Sequence, residues 1–196
     1  MKRVIFYGSI GVGKTTAGRE IAKRWKDAFF VEEDLSKNIS ISDFYKDMKR
    51  FAFLSSTEML AVMLENNCRT ESGKNIAIID QGVEELICYN RMELKSNILS
   101  ENEFSVFKRL YNDVLNLVPT TDLYVYFHCS KQEQLRRIKN RDREFERDID
   151  EDFLNRLNYE YARFTDDLEQ TKLIKVDTEN GVDYDWLIEK ILSALK

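Results

Sequence analysis

A glycine-rich stretch near the amino terminus has the residue types and spacing of a phosphate-binding loop. The sequence GSIGVGKTT at residues 8–16 contains the pattern GxxxxGK[ST] without gaps, directly after the apolar run RVIFYG. Glycines let the backbone wrap closely, so that successive N–H groups and a helix N-terminus face phosphate oxygens. The residues expected to hold a nucleoside triphosphate are Gly8, Ser9, Ile10, Gly11, Val12, Gly13, Lys14, Thr15 and Thr16.

Two side chains are candidates for a Mg²⁺ site beside this loop. Lys14 is expected to neutralise the outer phosphates, and the Thr15 hydroxyl to coordinate the ion. Asp80 closes the run NIAIID at 75–80. Ligands of open α/β sheets lie beyond the carboxyl ends of the strands, so Asp80 is the expected second metal ligand. The alternative is an exposed aspartate that begins a turn with Gly82.

A carboxylate near the end of a second apolar run is a candidate base. A hydroxyl acceptor needs a carboxylate within hydrogen-bonding distance to take its proton. The stretch FFVEED at 29–34 offers Glu33, with Glu32 as the second choice. The alternative is that these acids form an ordinary acidic loop.

Basic residues are concentrated in LRRIKNRDREFERDI at 135–149. They are Arg136, Arg137, Lys139, Arg141, Arg143 and Arg147. Because a transferring phosphoryl group spreads negative charge over several oxygens, an arginine-rich lid over about 137–149 would stabilise it and exclude water. The alternative is a solvated helix face, since acidic residues alternate with the arginines.

The elements that must position these side chains alternate along the chain. Short runs rich in Val, Ile, Phe and Tyr predict buried parallel strands at 3–8, 28–33, 75–80, 121–129 and 172–177. Longer charged segments predict helices at 14–25, 41–65, 83–97, 101–117, 130–141, 150–169 and 184–195. The alternation predicts an α/β fold of three layers, with a five-stranded parallel sheet flanked by helices.

Composition excludes several classes of function. The 30 Lys and Arg against 35 Asp and Glu argue against a general binder of nucleic acid or of a membrane surface. The three cysteines and single histidine lack the spacing of a zinc site. No run approaches the roughly 18 apolar residues of a membrane span. We therefore expect one domain, cytoplasmic, without nucleic-acid or membrane partners.

Taken in order, these features resemble the deoxynucleoside kinase family, which includes the deoxycytidine, deoxyguanosine and deoxyadenosine kinases. The resemblance covers nearly the whole chain. It rests on GSIGVGKTT at 8–16, VEED at 31–34, FYKDMKRFAF at 44–53, IID at 78–80 and RIKNRDREFERDIDEDFLNRLNYEYARF at 137–164. It implies one P-loop kinase domain over residues 1–196, ATP or another nucleoside triphosphate as donor with Mg²⁺, a nucleoside-like acceptor, and a homodimer.

The resemblance also implies roles for single residues. Glu33 matches the general base for the sugar 5′-hydroxyl, and Asp80 the metal-associated acid. Arg137, Arg141 and Arg143 match the arginines of the lid. Tyr45 and Glu146 match the pair that holds the sugar 3′-hydroxyl. Core packing beside neighbouring phenylalanines is the alternative for Tyr45.

Several positions depart from the family pattern, most of them where the family contacts the base. Gln81 follows Asp80 where the family usually has arginine, and a neutral amide cannot supply the same charge to a phosphate. Ser56 stands where the family presents a glutamine to the base. Two further base-contacting positions align with Met63 and Leu86. The residues that would contact the sugar match the family, and those that would contact the base do not. This favours an altered acceptor, or relaxed specificity for the acceptor, over a standard deoxynucleoside.

Three hypotheses for the function follow. The first is a kinase that moves the γ-phosphate of ATP or another nucleoside triphosphate to the 5′-hydroxyl of a deoxynucleoside-like acceptor. The second is a nucleoside monophosphate kinase similar to thymidylate kinase, against which Gln81 argues because that acceptor calls for arginines near the third strand. The third is a nucleotide-binding module with weak or lost transfer activity.

Overall fold

The computed structural model describes residues 1–146 and 149–196, which form five β-strands and eight α-helices. The strands are β1 (Lys2–Tyr7), β2 (Ala28–Val31), β3 (Ile76–Asp80), β4 (Leu123–His128) and β5 (Leu173–Asp177). The helices are α1 (Lys14–Arg24), α2 (Ile41–Lys46), α3 (Met48–Asn67), α4 (Leu86–Lys95), α5 (Glu101–Leu115), α6 (Lys131–Arg141), α7 (Glu151–Asp166) and α8 (Tyr184–Ala194). Short 3-10 turns lie at Leu35–Lys37, Glu144–Glu146 and Gln170–Lys172.

The strands form one parallel sheet in the order β2-β3-β1-β4-β5, which confirms the predicted fold class. β1 lies at the centre and pairs with β3 on one side and β4 on the other. The chain therefore turns in opposite directions on the two sides of β1. In open α/β sheets a crevice forms at such a point, beyond the carboxyl ends of the strands.

Helices cover both faces of the sheet because successive side chains of β1 point to opposite faces. Val4 and Phe6 belong to an apolar cluster with α1 and α8. Ile5 and Tyr7 belong to a second cluster with α4 and α7. All four side chains are fully buried. The central strand is thus fixed from both faces, and so is the loop that follows it.

The helix predicted over 41–65 is divided in two by Asp47. Its φ of −145° is not helical, and its side chain accepts a hydrogen bond from the backbone N–H of Arg50 at 3.3 Å, so it begins α3 as an N-cap. The break lets α2 pack against the turn Glu144–Glu146, where the rings of Tyr45 and Phe145 stack with centroids 5.6 Å apart. Asp47 therefore decides where Tyr45 lies.

The longest helix within these described ranges is α3, with 20 residues. Across 1–146 and 149–196, no helix combines the length and the apolar character that crossing a membrane requires.

Candidate active site

The loop between β1 and α1 has the geometry of a phosphate cradle. Gly8 has a φ of +136°, and a Cβ there would lie 2.3 Å from the carbonyl oxygen of Phe127 in β4, so only glycine fits. Lys14 begins α1, and its Nζ donates to the carbonyl oxygens of Gly8 at 2.8 Å and Ser9 at 3.0 Å. The ammonium group therefore lies across the loop, close to the helix N-terminus.

Thr15 and Asp80 are brought together beside this loop. The Thr15 hydroxyl donates to Asp80 Oδ2 at 2.5 Å. Asp80 is 1% exposed, its burial raises the pKa of the carboxyl, and nearby Lys14 opposes that shift. Within the described residues Asp80 Oδ1 has no hydrogen-bond partner. A buried carboxylate oxygen beside a hydroxyl fits Mg²⁺, which prefers oxygen ligands.

Protein side chains alone do not form a complete metal site in the described part of the chain. Among the residues that the structure describes, no group of three or more His, Cys, Asp or Glu side chains could hold a metal ion. A Mg²⁺ ion at Thr15 and Asp80 would therefore depend on phosphate oxygens and water for its remaining ligands, as is usual for this ion.

The two candidate bases lie in different surroundings. Glu33 lines the cavity that opens beside the phosphate loop. Glu32 points to the surface, where its carboxylate accepts from Arg19, with Nε at 2.7 Å. Burial and, after it, the nearby carboxylate of Asp80 together raise the pKa of Glu33 to about 7, although Lys14 opposes the shift. Glu33 is thus a cavity carboxyl whose ionisation falls near neutral pH.

Gln81 connects this carboxyl to the phosphate loop. It follows β3 directly and has a φ of +67°, an uncommon conformation for a residue other than glycine. With its amide oriented to suit both neighbours, the nitrogen donates to Glu33 Oε1 at 3.0 Å and the oxygen accepts from Lys14 Nζ at 3.2 Å. The Gln81 side chain therefore connects the candidate base, Glu33, to the loop lysine, Lys14.

Two of the three predicted lid arginines reach the cavity. Arg141 and Arg143 line it and both pair with Glu146, the latter through Nη1 and Oε1 at 3.2 Å. Glu146 is 3% exposed. Arg147 lies outside the described residues.

Arg137, the third predicted lid arginine, contacts the phosphate loop and does not line the cavity. Its Nη1 donates to Thr178 Oγ1 at 2.9 Å and to the Gly11 carbonyl oxygen at 3.4 Å, and its Nε donates to Glu133 at 2.7 Å. These bonds join α6, the loop and the segment after β5. The structure thus separates Arg137 from Arg141 and Arg143.

The predicted acceptor residues line the same cavity, from α2, α3, α4 and the turn Glu144–Glu146. Tyr45 and Glu146 are both lining residues, as are Ser56, Met63 and Leu86. Burial raises the pKa of the Tyr45 phenol, so it stays neutral and can donate a hydrogen bond. Phosphate loop, candidate base and acceptor residues therefore share one cavity.

Sequence analysis missed several lining residues, and the polar ones among them include Asn38, Tyr89 and Glu93. Asn38 is 2% exposed and its Nδ2 donates to the Ser55 carbonyl oxygen at 3.0 Å. Tyr89 and Glu93 follow Leu86 at helical spacing, so these three side chains share one face of α4. A glutamate on an otherwise apolar helix face was the signal in the sequence.

Comparison with known proteins gives one consistent family. A family model described as deoxynucleoside kinase matches residues 5–196. The deoxyadenosine kinase of Dictyostelium discoideum is 25% identical over 185 residues, which cover 94% of this chain and 75% of the relative. The deoxyadenosine kinase of Lactobacillus acidophilus is 29% identical over 148 residues, which cover 73% and 68%.

Solved structures agree with these relatives. A deoxyadenosine kinase of M. mycoides with dCMP and dCDP bound is 25% identical, with a TM-score of 0.83 over 98% of this chain and 97% of that one. The same enzyme with dATP bound is 26% identical, with a TM-score of 0.82 over 98% of both chains. The similarity thus extends over the sheet, the phosphate loop and the cavity.

Proposed function

The chain belongs to the deoxynucleoside kinase family, and on that premise we propose that it transfers the γ-phosphate of ATP to the 5′-hydroxyl of deoxyadenosine or deoxycytidine. The family consists of phosphotransferases that act on nucleosides. The acceptor proposed for this chain comes from its relatives, which are named deoxyadenosine kinases, and from the M. mycoides enzyme, which is solved with dATP or with dCMP and dCDP bound. Adenine and cytosine share an amino group beside an unprotonated ring nitrogen.

One observation carries the proposal. Gln81 bonds both Glu33 and Lys14, so a single side chain separates the candidate base from the lysine that would hold the outer phosphates. Phosphoryl transfer depends mainly on positioning and on electrostatic stabilisation. Gln81 joins the loop that would bind the phosphate donor to the cavity that would bind the acceptor. This arrangement supports both positioning and electrostatic stabilisation.

In the proposed step, Glu33 accepts the proton of the 5′-hydroxyl as that oxygen attacks the γ-phosphorus. The bond between the γ-phosphorus and the bridging oxygen breaks, and ADP leaves with the electron pair. Arg141 and Arg143 stabilise the charge on the transferred group, since both guanidinium groups reach the cavity. Tyr45 and Glu146 orient the sugar through its 3′-hydroxyl.

A Mg²⁺ ion fits the pair formed by Thr15 and Asp80, and when bound it would neutralise charge on the phosphates. Arg137 supports the loop rather than the transferring group, because its bonds go to the backbone oxygen of Gly11 and to Thr178. We assign it a positioning role.

The two other hypotheses have less support. A module that binds nucleotide without transfer would need no carboxyl of raised pKa in the acceptor cavity, yet Glu33 is one. A thymidylate kinase-like enzyme needs positive charge for the phosphate of its acceptor, and Gln81 supplies none.

The test is transfer from ATP to the four common deoxynucleosides by wild type and by Glu33→Gln. We expect the variant to lose on the order of 10²- to 10⁴-fold in kcat while ATP binding, measured by calorimetry, persists. The matched control is Glu32→Gln, which removes the neighbouring carboxylate and should keep full turnover. Equal turnover in wild type and Glu33→Gln would remove Glu33 from the chemistry.

A homodimer is part of the proposal. Val106 and Leu110 are 37% and 44% exposed one turn apart on α5, an apolar patch that a second copy could cover. The mass in solution by light scattering tests it. The cytoplasmic location stays a prediction.

A further inference from the structure

Glu93 is a carboxyl in the acceptor cavity to which the proposed reaction gives no role. It lies on α4, is 3% exposed and lines the cavity. Among the described residues its side chain has one hydrogen-bond partner, the Ser56 hydroxyl, which donates to Oε2 at 3.5 Å. That bond is long, so most of the hydrogen-bonding capacity of the carboxyl remains for a molecule in the cavity.

The surroundings keep this carboxyl neutral. Burial raises the pKa of Glu93 to about 8, and the bond from Ser56 opposes this only in part. The other titratable or charged groups that line the cavity are Tyr45 on α2, Tyr89 on α4, Lys14, Glu33, Arg141, Arg143 and Glu146, and Asp80 lies close to Glu33. Arg141 and Arg143 pair with Glu146, and among the described residues no cation pairs with Glu93.

A neutral carboxyl presents one O–H donor and one carbonyl acceptor side by side. A glutamine amide presents the same pair, with an N–H donor beside a carbonyl acceptor. Ser56 touches Glu93 from α3 by one long bond and leaves the rest of the carboxyl free. The donor and acceptor pair of Glu93 is therefore present in the cavity, on α4.

We propose that Glu93 is a specificity-determining residue that contacts the base of the acceptor. Its carbonyl oxygen accepts from the amino group of adenine or cytosine, and its O–H donates to the neighbouring ring nitrogen. The inference rests on the proposed function and deepens it.

The test uses two acceptors that differ only in the amino group, deoxyadenosine and purine 2′-deoxyriboside. We expect wild type to prefer deoxyadenosine in kcat/KM by about 10- to 100-fold, because the second acceptor leaves the buried carbonyl oxygen of Glu93 unpaired. Glu93→Gln keeps the donor and acceptor pair and should keep the preference. Glu93→Leu has similar size without polar atoms and should reduce the preference to about threefold or less, within the error of such ratios.

The pH profile gives a second measurement. Above pH about 8, wild-type kcat/KM for deoxyadenosine should fall, because ionised Glu93 loses its donor. Glu93→Gln should lack this falling limb. Glu58→Leu is the matched control. Glu58 lies on α3, as Ser56 does, but its carboxylate accepts from Ser40 and does not line the cavity. It should keep both the preference and the limb.

The results distinguish a failure of this inference from a failure of the proposed function. Wild type that transfers phosphate to no nucleoside contradicts the proposed function. Active wild type without the preference, or with activity on keto bases alone, overturns the role of Glu93 and leaves the kinase standing. If wild type prefers deoxycytidine, the same comparison uses its analogue without the 4-amino group. If Glu93→Leu does not fold, an unchanged limb in Glu93→Gln overturns the inference.

Discussion

At the scale of single residues, Gln81 is the departure from the family pattern with the clearest structural consequence. It places a neutral amide between Glu33 and Lys14, where arginine would place a fixed positive charge. An adjacent cation lowers the pKa of a carboxyl by about 1–3 units. Without it, burial and Asp80 dominate and the pKa of Glu33 rises to about 7.

The first prediction concerns the pH dependence that follows. A base must be ionised, so kcat/KM should rise with pH through a limb set by Glu33. Gln81→Arg should move that limb to lower pH by about one unit or more, because the guanidinium favours the carboxylate. Initial rates at fixed Mg²⁺ over a pH series measure it.

Gln170→Arg is the control for this variant, because it adds the same charge at an exposed position. Its profile should match wild type. A limb that stays in place in Gln81→Arg would mean that another group titrates.

At the scale of elements, the site depends on the close approach of the phosphate loop to β4. Gly8 meets the backbone of Phe127 where no Cβ fits. α6 supports the loop from the other side, since Gln134 Nε2 donates to the Ile10 carbonyl oxygen at 3.1 Å. The loop is thus held between a strand and a helix that lie far from it in sequence.

The second prediction tests the close contact between Gly8 and Phe127 by comparing substitutions at two glycines of positive φ. Gly8→Ala should lower the free energy of unfolding by about 2 kcal/mol or more and impair ATP binding, because the new methyl group collides with a backbone oxygen. Gly181→Ala also has positive φ, +96°, but meets no atom within 4 Å. It should cost only about 1 kcal/mol of backbone strain and leave ATP binding intact.

Denaturant unfolding and calorimetry measure both effects. Similar losses of stability and of ATP affinity in the two variants would show that the contact with Phe127 does not position the loop.

At the scale of the whole molecule, the phosphate loop gathers contacts from most of the sheet. It follows β1, meets β4 through Gly8, reaches β3 through Thr15 and Asp80, and is tied by Arg137 to Thr178 after β5. A nucleotide bound at this loop binds the folded chain and not the unfolded one. Its binding should therefore stabilise the fold as a whole.

The third prediction states the size of this effect. ATP with Mg²⁺ at about 100 times its Kd should stabilise wild type by about 2.7 kcal/mol, which for a chain of this length raises Tm by roughly 5–10 °C. Lys14→Ala should lose most of the shift, because Lys14 crosses the loop.

Lys26→Ala removes an exposed lysine just beyond α1 and should keep the full shift. Differential scanning fluorimetry measures all three proteins. Equal shifts in Lys14→Ala and wild type would place the nucleotide elsewhere.

The sequence by itself determined the features that depend on neighbours along the chain. The phosphate loop is one contiguous motif between a strand and a helix, and runs of apolar residues predict the five parallel strands. The position of Asp80 follows too, because the carboxyl ends of parallel strands meet at one edge. Single boundaries were less accurate, since a side-chain cap such as that of Asp47 can divide one helical pattern into two.

Only the tertiary structure decided which side chains meet. It placed Glu33 rather than Glu32 in the cavity, separated Arg137 from Arg141 and Arg143, and brought Glu93 to Ser56, which is 37 positions away. Each outcome depends on the direction in which a side chain points and on packing between distant segments. Periodicity and spacing do not carry that information, because neighbouring charged residues look alike in sequence until the fold turns one toward the cavity and the other toward the surface.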